Sequence, residues 1–260
     1  MPAHDFSGID SNIYHSLHVA WLSSMMKALN GGILPKPYYA LVEQVQRAAS
    51  PDLIALEKDG EELAASVSEA PAQYGTTLAD LLKRMSPPKT AIVASAKEIM
   101  IPPKQRTITI RHSDGHHIVA LVELMSRSNK VSLKTLDKFV DKICDALAHE
   151  IHVSIIDPFP PNRIAPRGIH GAIWSALGER APVWNPAKPF SAAAYESSGE
   201  INAYVQPYGI GEALPDLPLF LKPSYYVYVP LEKTYTEALA SMPDYWRDKI
   251  ARIRPRKRSA

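Results

Sequence analysis

The chain has 260 residues, 46% of them hydrophobic, which is enough to bury a core in one large domain. Its 29 Lys and Arg nearly balance 27 Asp and Glu, so bulk charge names no partner, and a nucleic-acid ligand would have to be met by a local patch. The single cysteine, Cys144, excludes an intrachain disulfide framework, and no window approaches the apolar length of a leader or membrane span; both features predict a soluble cytoplasmic protein with no membrane partner.

Residues 13 to 29 place Leu17, Trp21, Met25 and Leu29 at helical spacing and end at Asn30-Gly31-Gly32, which predicts an amphipathic helix with a glycine stop. A strand is expected at "YYALVEQVQ" and a second at "SPDLIALEKDGEE", with Asp52 at its entrance and Asp59-Gly60 as the closing turn. Residues 58 to 105 are richer in Ala, Ser and Pro, carry one helical pattern at "TLADLLKRM", and read as an insertion or excursion from the core. The sheet resumes at "RTITIRHSDGHHIVALVELM", two strands joined around Asp114-Gly115, a strong hairpin signal.

Ser132 then caps a helix whose stripe is Leu133, Leu136, Phe139, Val140, Ile143 and Leu147, with Cys144 on its apolar side as a small core residue. "IHVSIID" follows at once. Strand, helix and strand within about 40 residues make a βαβ crossover, which requires a parallel pair. The C-terminal third offers a helix at "HGAIWSAL", strands at "AAYES" and "NAYVQPY", a proline-rich "LPDLPLFLKP", then "YVYVPLEKTYTEAL" and "DYWRDKIARI". The fold class expected is mixed α/β: a core over residues 1–160, a C-terminal extension over 161–260 packed on it, and a basic tail at 252–260.

One acid stands out. Glu123 lies in "IVALVELM", with five apolar residues before it and two after. A carboxylate in such a strand is withdrawn from water and must find a cation, a metal or a donor, or keep its proton. If the strands of Asp52 and Glu123 lie side by side, both carboxylates face one sheet surface, an arrangement suited to a hard divalent cation. Glu43, on the preceding strand, is a candidate third ligand. A lysine beside them would complete a site that orients water against a phosphodiester. Lys130, at the approach to the following helix, or Lys138, within it, could return an ammonium to such a site, because that helix packs back over the strand it follows. The plainer reading makes Pro51-Asp52 an ordinary turn and Glu123 a structural acid paired to a lysine or arginine.

Other patterns read more simply. His112, His116 and His117 straddle a tight turn and are expected to be solvated rather than zinc ligands. Lys134, Lys138 and Lys142, beside Asp137, Asp141 and Asp145, are expected on a solvated helix face. "YGIGE" lacks the lysine of a phosphate loop.

The ordered signposts "FSGID", "LPKPYYALVEQV", "PDLIAL", "VALVELMSRSNK", "IHVSIID", "LPDLPLFLKP" and "VPLEKTYTEAL" run over nearly the whole chain. In them it resembles the bacterial family Domain of Unknown Function 4058, whose core is similar to the PD-(D/E)xK, Uma-type restriction-endonuclease-like proteins. The resemblance implies a restriction-endonuclease-like central sheet with flanking helices, Asp52 and Glu123 as metal ligands with Glu43 as a helper, Lys130 or Lys138 as the cation, and Mg2+ or Mn2+ as cofactor. Arg127 departs from the proline many relatives carry there, and the segment after Lys130 lacks their glycine-rich loop. Two functions follow as expectations: a divalent-metal-dependent phosphodiesterase acting on DNA, or a catalytically inactive binding or assembly module on the same scaffold. A homodimer is compatible with either.

Overall fold

A computed structural model of the chain describes residues 3–45, 92–96, 105–180 and 185–251. Asp52, the helical pattern at 77–85 and the basic tail lie outside the described residues.

The first helix, α1, spans Ser11–Ala28 and starts at Asp10, whose carboxylate accepts from the Asn12 amide at 2.8 Å. It buries Leu17, Trp21, Leu22 and Met25, then widens into one π-helical turn, Leu29–Ile33, where Gly32 adopts a φ of 121°. Only glycine takes that angle without strain, which is why the helix stops there. β1 (Tyr38–Val45) follows, and β2 (Ile92–Ala96) precedes the hairpin of β3 (Gln105–His112) and β4 (Ile118–Leu124). At the hairpin tip Gly115 and His116 both have positive φ, 65° and 52°, as the Asp-Gly signal foretold.

α2 (Leu133–Ala148) carries the chain from β4 to β5 (His152–Asp157). Ser132 caps it, accepting from the Thr135 amide at 3.2 Å. β4 and β5 are parallel, so the predicted crossover is present. α3 (Gly168–Ala176) comes next, then β6 (Phe190–Ser198), β7 (Glu200–Tyr208), the hairpin of β8 (Leu217–Lys222) and β9 (Tyr225–Val229), α4 (Leu231–Ala240) and α5 (Asp244–Ala251).

Seven described strands form one mixed sheet in the order β1-β3-β4-β5-β6-β7-β2, parallel only at β4/β5. Instead of forming an extension packed on a finished core, the segment after residue 160 supplies two strands of that sheet. β6 pairs antiparallel with β5, and β7 with β6, which leaves β5 interior and buried on both faces. The stretch read as an excursion also returns a strand, β2, to the sheet's far edge beside β7.

Each face of the sheet carries its own core. On one face Ile108, Ala120, Val122, Leu124 and Ile156 pack against Trp21, Met25 and Tyr235 of the helices and Phe220 of the β8/β9 hairpin. On the other, Leu121, Met125, Val153, Ile155 and Tyr195 pack beneath α2 and α3, against Phe139, Ile143, Ile173 and Trp174. From Ala120 onward, past a register shift against β3, β4 alternates its side chains between the two, which sends Glu123 to the α2 side with Leu121 and Met125.

Candidate functional site

Glu123 is 1% exposed. Its carboxylate is met from above by α2, where Lys142 Nζ lies 2.5 Å from Oε1 and is itself 1% exposed. From the side, the Thr107 hydroxyl on β3 donates to the same Oε1. The acid therefore has both a cation and a neutral donor inside the fold, the two compensations a buried carboxylate requires.

Lys142 is the lysine that the sequence pattern misplaced. Lys134 and Lys138 are exposed, as a solvated helix face requires, but Lys142 is not. A four-residue step overshoots one helical turn by roughly 40°, so two steps rotate the side chain by roughly 80° and bring it under the helix. The signal was available: Lys142 is adjacent to Ile143 and three residues after Phe139, inside the apolar stripe.

Of the described residues expected to join Glu123, Lys130 and Glu43 make contacts of their own. Lys138 points to solvent from α2. Lys130 is buried but serves a different acid: its Nζ donates to Asp157 Oδ2 at 2.5 Å and to the Phe159 carbonyl at 2.8 Å, clamping the exits of β4 and β5 together. Asp157 also receives the amides of Phe159 (3.3 Å) and of Ile169 at the start of α3 (3.4 Å). Glu43 lies on the Glu123 side of the sheet, one strand beyond Thr107, its Cα partner. Its Oε2 accepts from Thr109 at 2.9 Å and from Arg111 at 3.0 Å.

Asp52, the expected neighbour of Glu123, lies outside the described residues. Both hydrogen-bonding edges of β4 are filled, by β3 and by β5, and the residue across from Glu123 on β3 is Thr107, not an aspartate. Among the described residues no group of three or more His, Cys, Asp and Glu could hold a metal ion. The described donor set at Glu123, one carboxylate oxygen already holding an ammonium and a hydroxyl, does not fit Mg2+ or Mn2+, which require several oxygen ligands.

The hairpin histidines make local contacts. His112 and His117 stack at 5.4 Å, while His116 Nδ1 meets the Tyr39 hydroxyl at 2.8 Å. Cys144 is buried, and burial pushes its thiol up to about 12.

A feature with no precursor in the sequence pattern lies at the C-terminal edge of β4 and β5. There the turn after β4, the residue Phe159 after β5, the start of β3 and the N-terminal half of α1 enclose a cleft of about 390 Å³. Its polar lining includes His15, His18, Arg106, Ser126 and Arg127. No single motif could announce it, because its residues come from four separate segments.

No family model matches the chain, and no curated protein or solved structure matches it.

Proposed function

We propose that the chain is a non-catalytic binding module on a restriction-endonuclease-like scaffold. The order α1, β1, β3, β4, α2, β5, with three antiparallel strands followed by a parallel fourth across a helix, supports the scaffold part of this reading. The observation that carries the functional part is the closed pair of Glu123 and Lys142. A metal-dependent phosphodiesterase needs its acid to offer charge to a cation and its lysine to face the attacking water or the phosphate. Here each neutralises the other inside the fold, and their role is to fix α2 to the sheet. The cleft at the sheet's edge, with its arginines and histidines, provides the binding surface.

The phosphodiesterase is the second reading, favoured by the placement of Glu123, Thr107 and Lys142 on one sheet face, with Asp52 outside the described residues. Incubation of plasmid and of single-stranded oligonucleotides with Mn2+ or Mg2+ separates the two readings. The module leaves both substrates intact. Metal-dependent cleavage that disappears in a folded Glu123→Gln variant overturns the module and establishes the enzyme.

A further inference from the structure

The cleft beside β4 and β5 combines three chemistries. Its apolar wall is Tyr14 and Phe159, whose rings meet edge-on with centroids 4.8 Å apart. Tyr14 uses its hydroxyl to donate to the Met125 carbonyl at 2.7 Å. The positive charge comes from Arg106 and Arg127, both exposed. Neither is ion-paired to a described residue, whereas Arg111, Lys130, Lys142, Lys188 and Arg247 all are. No carboxylate stands among the described lining residues to cancel them.

His18 supplies the third chemistry. Its Nε2 lies 2.8 Å from the Leu124 carbonyl, and a carbonyl can only accept, so the ring's hydrogen is on Nε2. Burial lowers the His18 pKa and keeps the ring neutral, with a lone pair on Nδ1. The cleft thus offers cationic donors, an aromatic surface and a neutral imidazole.

We infer that this cleft binds a phosphomonoester carrying a planar ring, of nucleoside-monophosphate size, with Arg106 and Arg127 taking the phosphate and the ring packing against the wall formed by Tyr14 and Phe159. A volume of about 390 Å³ suits a ligand of that size. Two guanidinium groups offer more donors than a carboxylate's two oxygens require. They match the three terminal oxygens of a phosphate. This inference rests on the module reading and names what the module holds. A free nucleotide and the phosphorylated end of a nucleic-acid strand share the chemistry.

Calorimetric titration of the full chain tests it with four probes: adenosine 5′-monophosphate, a short oligonucleotide with a 5′-phosphate, the same oligonucleotide without it, and inorganic phosphate. The expected result is saturable binding of a phosphorylated probe, weaker by about tenfold in Arg127→Ala and in Arg106→Ala, with the thermal melt unchanged. Binding of the mononucleotide identifies a free nucleotide as sufficient, and binding of the 5′-phosphorylated strand alone identifies the strand end. Three results overturn the inference: no binding of any phosphorylated probe, equal binding with and without the terminal phosphate, or inorganic phosphate bound as tightly as the nucleotide. Should one arginine variant fail to fold, the other carries the test. Absence of binding with nucleic acid left intact defeats the cleft assignment alone. Metal-dependent cleavage lost in Glu123→Gln, with cleft binding retained, defeats the module reading alone.

Discussion

Lys142 Nζ and Glu123 Oε1 lie 2.5 Å apart across the seam between α2 and β4, in a part of the protein otherwise filled by Leu121, Met125, Phe139 and Ile143. The pair holds the crossover helix to the sheet by charge where its neighbours do so by apolar contact. A buried pair gains little over well-packed apolar side chains, but breaking it leaves one uncompensated charge in a dry interior.

Lys142→Met and Glu123→Gln are therefore each expected to destabilise the protein by about 3–5 kcal/mol, because each leaves the partner's charge buried without compensation. The double variant should recover much of the Lys142→Met loss. Urea denaturation of the wild type, both single variants and the double variant measures the coupling. Strict additivity of the two single losses would show that the residues do not form a pair.

Stability should fall as pH drops below neutrality. His170 is fully buried, its Nδ1 2.7 Å from the Tyr195 hydroxyl, and burial lowers its pKa to about 4. His152 is lowered to about 4 in the same way and accepts the Ser197 amide at Nδ1, which protonation would prevent. The unfolded chain binds these protons near pH 6.5 and the folded chain does not, so stability is complete above that value and is lost as pH falls toward 4. The full loss is roughly 3 kcal/mol for each histidine. Denaturation curves at pH 7.5, 6 and 5 should show this decline, and a folded His170→Gln variant should show a shallower one. An identical pH dependence in that variant would count against the buried neutral imidazole.

Cys144, 1% exposed on the sheet-facing side of α2 with its thiol raised to about 12, should resist a disulfide reagent in the native state and react stoichiometrically in urea. The native labelling rate should follow the rate of opening. Immediate native labelling would mean that α2 does not cover the sheet as described.

Asn30 shields the outer edge of β1. Its side-chain amide donates to the Ala40 carbonyl at 2.9 Å, and its oxygen accepts the Ala40 amide at 2.8 Å, as a neighbouring strand would. Asn30→Ala should cost about 1–2 kcal/mol in urea denaturation and increase self-association in light scattering, because unpaired strand edges recruit other strands. A variant equally stable and monodisperse would assign the edge another protector.

Periodicity and turn chemistry made the local elements readable. Leu17, Trp21 and Met25 marked α1, the glycines after Asn30 marked its end, Asp114-Gly115 marked the hairpin, and Ser132 with its apolar stripe marked the crossover helix. These signals act within a few residues, where backbone sterics and capping are decided. The need of Glu123 for a partner was readable as well, since an acid between Val122 and Leu124 cannot stay uncompensated in a buried strand. Which cation answered it was decided in three dimensions: the slow rotation of a four-residue spacing turned Lys142 inward and left Lys138 in solvent, while Lys130 went to Asp157. The entry of β6 and β7 into the central sheet and the gathering of Tyr14, His18, Arg106, Arg127 and Phe159 around one cleft likewise depend on strand order. Strand order is fixed by long-range pairing and by the burial of two sheet faces at once, which no window along the chain contains.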